Sequence, residues 1–165
     1  MDVGELFAKH QPALLRYLTR YSGDPDIAAD AAQEAYLRLL ASPPARGNNV
    51  RAWLFTVATN VVRDGWKRER SELKLSGNPE QALAADPSPG PQERAESAER
   101  EKLARQMLEK ASEREREILL MWTEGFGHRE IAEAVGTTTG TIAPTIARAL
   151  KKLAKQIDQY KREDV

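Results

Sequence analysis

Apolar residues recur at helical spacing along most of the chain, and Pro- and Gly-rich stretches interrupt them. The clearest pattern lies in Val50–Arg70. On a helical wheel Leu54, Ala58 and Val61 form one stripe, flanked by Phe55, Val57 and Val62. Thr56, Asn60, Arg63, Lys67 and Arg70 fall on the opposite side, with Trp53 and Trp66 at its two margins. The pattern predicts a helix with one core-facing side and one row of hydroxyl, amide and cationic groups. Such a row, edged by flat rings, suits a polyanion whose bases can be unstacked. A solvated amphipathic helix with two partly buried tryptophans accounts for the same pattern equally well.

Upstream, Val3 to Tyr21 reads as a helix with Leu6, Phe7, Leu14, Tyr17, Leu18 and Tyr21 apolar, and Pro12 is expected to kink or split it. Asp24 is a good N-cap and Pro25 suits a first helical position. The helix from Pro25 to about Leu40 is expected to bury Ala28, Ala32, Ala35, Tyr36 and Leu39. Its other side carries Asp30, Gln33, Glu34 and Arg38, with Leu37 among them. An apolar residue inside a polar patch is common on protein-binding surfaces; a stray leucine on a solvated face is the competing reading. Ser42–Asn49 is a loop by composition. Asn48 and Asn49 serve there as turn formers or as amides for a base edge, turn chemistry being the weightier reading.

After Arg70 the character changes. Four of the nine prolines (Pro79, Pro87, Pro89 and Pro91) lie between Ser76 and Pro91. From Ser71 to Glu93 the acids Glu72, Glu80, Asp86 and Glu93 face one base, Lys74. An acidic linker is expected. The fold class predicted is all-α: two small helical domains, 1–72 and 94–165, joined by a flexible linker over 73–93.

The second unit opens with a charge-rich helix from Gln92 to about Lys110 that carries Leu103, Met107 and Leu108. Ser112 and Glu115 form a capping box for a helix with Ile118, Leu119 and Trp122 that ends at Gly125. Next, Ile131, Ala132 and Val135 face inward on a short helix, Gly136 turns the chain, and Ile142 begins the buried side of another. Small residue, glycine and β-branched residue are spaced as in a helix-turn-helix. No acid occurs from Ala134 to Ile157, whereas Arg148, Lys151, Lys152 and Lys155 are basic. That segregation matches a DNA-facing helix, and an ordinary helical hairpin with a lysine-rich end is the plainer alternative.

Composition removes whole classes of function. The 165 residues carry 25 Lys and Arg against 25 Asp and Glu, so binding to a polyanion must come from local charge segregation. The absence of cysteine excludes disulfides, thiolate metal sites and cysteine nucleophiles. His10 and His128 lack ligand-like spacing. No apolar run nears the roughly 18 residues of a membrane span, and Met-Asp-Val-Gly-Glu has no signal-peptide pattern. The expectation is a soluble cytoplasmic protein with no membrane partner, no cofactor, no metal and no catalytic residues.

The two units together resemble the bacterial RNA polymerase sigma factors of the small two-domain extracytoplasmic-function (ECF) group, over nearly the whole chain. Ala29-Asp30-Ala31-Ala32-Gln33-Glu34-Ala35-Tyr36-Leu37 resembles that family's polymerase-clamp-binding helix, except that Ala29 stands where the first of two acids is usual. Trp53-Leu54-Phe55-Thr56-Val57-Ala58-Thr59-Asn60, with Asp64 and Lys67-Arg68 after it, resembles the promoter-melting helix that reads the downstream element. Arg129-Glu130-Ile131-Ala132-Glu133-Ala134-Val135-Gly136 and Gly140-Thr141-Ile142 resemble the helix-turn-helix that reads the upstream element.

The resemblance implies partners: core RNA polymerase at its clamp and flap, and promoter DNA, double-stranded upstream and single-stranded downstream. An anti-sigma factor is implied in the same way. Polymerase contacts fall on Asp30, Gln33, Glu34, Leu37 and Arg38. DNA contacts in the first unit fall on Asn48, Asn49, Trp53, Thr56, Asn60, Arg63, Trp66, Lys67, Arg68 and Arg70. Those in the second unit fall on Arg129, Thr137, Thr139, Thr141, Thr145, Arg148 and Lys152. The linker is implied to thread the RNA-exit path.

One departure matters. Ala143, Pro144 and Thr145 stand where the family usually has basic or hydroxyl residues in the first exposed turns of the recognition helix. Pro144 also removes a hydrogen bond to the Gly140 carbonyl. Weak upstream reading, by phosphate contacts and shape, is the hypothesis that follows. The main alternative function is an autonomous helix-turn-helix regulator, which would need a dimer interface, and no long heptad seam is present. An enzyme acting on nucleic acid is a third class; Asp24, Asp26 and Asp30 are close in sequence, but no carboxylate cluster with metal geometry is evident.

Overall fold

Capping and apolar spacing define the first three helices. The computed structural model describes residues 2–76 and 95–163. Helix α1, Val3–Ser22, starts at Asp2, whose carboxylate accepts from the backbone N–H of Gly4 at 2.8 Å, and stops at Gly23, whose φ of 75° only glycine adopts cheaply. Pro12 sits inside α1 without splitting it. Helix α2, Pro25–Ala41, begins with Asp24 accepting from Asp26 N–H at 2.8 Å and with Pro25 in its first turn, as the sequence predicts. Helix α3 spans Val50–Ser76. It therefore runs through residues 73–76, where the sequence reading begins the linker; the rest of that stretch, and Gln92–Arg94 of the next expected helix, lie outside the described residues.

Helices α1, α2 and α3 pack on one another as one unit. Its core holds Leu14, Tyr17, Leu18 and Tyr21 from α1, the small face Ala28, Ala31, Ala32 and Ala35 with Tyr36 and Leu39 from α2, and Leu54, Phe55, Ala58, Thr59 and Val62 from α3. The alanines let helix backbones approach closely. On α3 the buried stripe is turned about 60° round the helix from the expected Leu54–Ala58–Val61 line. Val57 and Val61 are only half-buried, while Thr59 is fully enclosed. The turn has a physical cause in α1: Tyr17 lies 2.8 Å from Thr59 Oγ1, whose hydroxyl also reaches the Phe55 carbonyl at 2.7 Å, so a polar residue enters the core satisfied.

The second unit contains α4 (Ala95–Lys110), α5 (Glu113–Thr123), α6 (His128–Val135) and α7 (Thr139–Glu163). Ser112 caps α5 by accepting from Glu115 N–H at 3.1 Å. Ile118, Leu119, Leu120 and Met121 are buried with Phe126, Ile131, Ala132, Ile142 and Ile146. Trp122, grouped with Ile118 and Leu119 by the sequence pattern, is instead exposed. Helix α7 continues to Glu163, through most of a tail whose order the sequence leaves open. Among the described residues all regular structure is helical, and no helix is long and apolar enough to cross a membrane.

Candidate nucleic-acid interface

The outward side of α3 is set by what its inward side buries. With Leu54, Phe55, Ala58, Thr59 and Val62 enclosed, Asn60, Lys67, Arg68 and Arg70 are exposed and Trp53 is half-buried. Thr56 is half-buried and donates its hydroxyl to the Ala52 carbonyl at 2.9 Å. Arg68 stands one residue, about 100°, beyond Lys67 and so off the row. Asn48 and Asn49 are exposed, but Asn49 Oδ1 accepts from Ala52 N–H at 3.1 Å and so ties down the first turn of α3. For Asn49 the turn-and-cap reading therefore wins over base reading by that oxygen.

Arg63 and Trp66 stand at the boundary between this face and the core. The Arg63 Nε donates to the Tyr21 hydroxyl at 2.9 Å, and its guanidinium carbon sits 5.9 Å from the Tyr21 ring centroid. Trp66 stacks on the same ring, centroids 5.5 Å apart and planes within 20°. Tyr21 in turn stacks on Tyr17 at 5.9 Å, and Tyr17 meets Phe55 at 5.0 Å. Four aromatic rings thus form a column from the core to the edge of the polar row. Trp66 is less available than a margin tryptophan on an isolated helix, because one face is already covered.

On α2 the predicted docking residues share the outer side. Asp30, Gln33, Leu37 and Arg38 are exposed and Glu34 is half-buried. Glu34 accepts from Arg38 Nε at 2.9 Å one helical turn away. Leu37 is 53% exposed, and Leu40 beside it 61%, so the apolar part of this patch is larger than one leucine.

In the second unit Gly136, with φ 72°, makes the turn between α6 and α7. Arg114 reaches across from α5, one terminal nitrogen donating to the carbonyls of Val135 at 3.1 Å and Gly136 at 3.2 Å. These are C-terminal carbonyls of α6, which lack intrahelical partners. Arg114→Ala is expected to cost about 1–2 kcal/mol and to speed amide exchange at Gly136 and Thr137; unchanged exchange there would show that the contact does not hold the turn. Just before α7, the Thr138 hydroxyl pairs with that of Thr141 at 2.8 Å.

The recognition-helix candidates divide. Thr139, Thr141, Arg148, Lys152 and, on α6, Arg129 are exposed, and Thr137 is half-buried. Arg129 pairs with Glu133 at 3.4 Å. Thr145 must be withdrawn as a DNA contact: it is 6% exposed and donates its hydroxyl to the Thr141 carbonyl at 2.8 Å. With Arg148 and Lys152 it lines a cleft of about 190 Å³ against Met107 of α4 and Leu119 of α5. The arc of α7 pointing away from that cleft carries Gly140, Ala143, Pro144 and Ala147, followed by Lys151 and Lys155, all exposed.

The sequence reading missed Tyr21 and Arg114 as parts of these surfaces. Nothing local in the sequence marks either, because Tyr21 reads as core and Arg114 as one more charge in Glu113-Arg114-Glu115-Arg116. Among the described residues, no three His, Asp or Glu side chains assemble as a metal-binding group.

Comparison with known proteins places these surfaces in context. Residues 6–72 match the family Sigma-70 region 2, and residues 102–153 match Sigma-70, region 4. The chain is 32% identical over 146 residues to the ECF RNA polymerase sigma factor EcfG of Rhodopseudomonas palustris, covering 87% of this chain and 78% of that protein. It is 30% identical over 156 residues to the ECF RNA polymerase sigma factor SigL of Mycobacterium tuberculosis, covering 90% and 84%. In fold it is similar to the sigma factor RpoE of Bartonella quintana, solved in complex with the anti-sigma factor NepR: TM-score 0.72 at 23% identity, over 94% of this chain and 96% of that one.

Proposed function

Since the chain belongs to the ECF RNA polymerase sigma factors, which direct the polymerase to promoters for transcription initiation, we propose that its two units divide that work by strand and by groove. It is not an enzyme; the bond-making steps belong to the polymerase. Residues 1–72 dock on the polymerase clamp through Asp30, Gln33, Glu34, Leu37 and Arg38, and hold the non-template strand along α3. Residues 94–165 bind the upstream element and meet the flap. The acidic stretch 73–93 suits the basic RNA-exit path by charge. The protein works in the cytoplasm, and an anti-sigma factor covers its binding faces when it is held inactive; the similarly folded RpoE is solved in complex with the anti-sigma factor NepR.

The observation carrying this reading is the two-sidedness of α3. One side is buried in the three-helix core, while Asn60, Lys67 and Arg70 on the other stand in solvent. Opening a duplex costs about 1.4 kcal/mol per step. Stacking an unpaired base on a protein ring returns about 1–3 kcal/mol, so a few held bases offset local melting. Upstream reading is weak and shape-based, because the outward arc of α7 offers Gly140, Ala143, Pro144 and Ala147, none with a side-chain hydrogen-bond donor.

The test is a pull-down with core polymerase followed by run-off transcription on a promoter carrying single changes across the upstream element. Binding and transcription are expected only with core polymerase. No upstream base pair should reach the upper part of the usual range of about 1–3 kcal/mol per mismatch. Tight, specific promoter binding by the isolated chain would overturn the reading in favour of an autonomous regulator. A dominant upstream base pair would overturn its shape-based part.

A further inference from the structure

The aromatic column ends on two side chains that face the candidate strand-binding row, and both rest on one buried ring. Tyr21 is 1% exposed, so solvent does not compete for its hydroxyl, and packing against Tyr17 fixes its plane. From there the hydroxyl takes the Nε hydrogen of Arg63, the ring lies beneath the Arg63 guanidinium, and its face stacks on Trp66. An arginine has four side-chain torsions to order before it can grip a phosphate. Fixing Nε sets the plane of the whole guanidinium fork and removes most of that entropy in advance. Lys67, one turn further along α3, is exposed.

We propose that Tyr21 is a positioning residue for strand binding: from inside the first unit it presets Arg63 and Trp66 as one rigid edge of the α3 face. This rests on the reading of α3 as the strand-binding surface. Tyr21 touches no DNA itself. Its hydroxyl acts through Arg63 and its ring through Trp66, so the two contributions separate on substitution. Tyr21→Phe keeps the ring, its stack and the cation–π contact, and removes the hydrogen bond alone.

The experiment uses holoenzyme reconstituted from core polymerase and full-length chain, on a promoter template carrying a pre-melted bubble, across a salt series. Tyr21→Phe is expected to weaken bubble binding about five- to tenfold, in the upper part of the range for an ordinary net hydrogen bond. Arg63→Lys, which keeps the charge but has no Nε donor, is expected to lose a similar amount. The double variant should be no weaker than the worse single one, because both remove the same contact. Tyr21→Phe should also make the salt slope shallower by up to about 0.7, one single-strand phosphate contact. A merely structural tyrosine would lower the melting temperature with an unchanged slope and losses that multiply with those of Arg63→Lys; that outcome overturns the proposal, as does full binding by Tyr21→Phe. Lys67→Ala tests the underlying reading separately. If Lys67→Ala weakens bubble binding while Tyr21→Phe does not, only the positioning role falls; if Lys67→Ala and Arg63→Lys are both silent, the strand-binding face falls with it.

Discussion

Phe55→Ala is expected to destabilise the first unit by about 3–5 kcal/mol, the cost of removing a fully buried phenyl ring. Phe55, in the second turn of α3, is 0% exposed, 5.0 Å from the Tyr17 ring, with the Arg51 guanidinium 5.8 Å from its own centroid. The loss is of the same order as the whole stability of a small unit, commonly about 5–15 kcal/mol for a domain. On the proposed reading of α3 the loss extends to strand binding, because the aromatic column that ends at Arg63 and Trp66 begins at this ring. Denaturant unfolding followed by tryptophan fluorescence in a Trp122→Phe background checks it, since Trp53 and Trp66 both lie on α3. A midpoint shift equivalent to less than about 1 kcal/mol would mean that the ring is not enclosed as described.

Removing the cationic row should have the second large effect. With Arg63, Lys67 and Arg70 all changed to alanine, up to three phosphate contacts are lost. For single strands each contributes about 0.7 to the dependence of log K on log salt, so the slope should become shallower by about 2. Extrapolated to physiological salt, that is roughly a fiftyfold loss of affinity for a pre-melted promoter bubble, with duplex upstream binding far less affected. Fluorescence anisotropy of holoenzyme on labelled bubble templates at several salt concentrations measures both quantities. An unchanged slope would show that the row is solvated and idle. Arg68→Ala, off the row by one residue step, serves as the comparison and is expected to change the slope less.

Where the outcome depended on spacing along one helix, the sequence reading was close. The alanine face of α2, the Asp24 cap with Pro25 behind it, the Ser112 cap and the left-handed Gly136 turn all follow from local rules that need no partner helix. Where a second helix chose the side, it strayed. Thr59 does not read as core from the sequence, because a hydroxyl on α3 looks polar until Tyr17 supplies its partner. Thr145 reads as outward-facing because the sequence does not show that α4 and α5 close over that side of α7. Pro12 was expected to kink or split α1; the helix is not split, and packing of Leu14, Tyr17, Leu18 and Tyr21 on α2 and α3 supports the turns that follow it.

By itself, then, the sequence determined the helical type of the elements, the separation of charge along them, and the family to which the chain belongs. All of these are properties of periodicity and order, and they persist in an isolated segment. Only the tertiary structure decided which arc of each helix is inside. The inward arc of an amphipathic helix is set by the sum of its contacts, and a single satisfied hydroxyl or stacked ring shifts it by most of a residue step. That shift joined Tyr21 to Arg63, 42 positions away in the chain, and placed a core tyrosine directly beneath the polar row of α3.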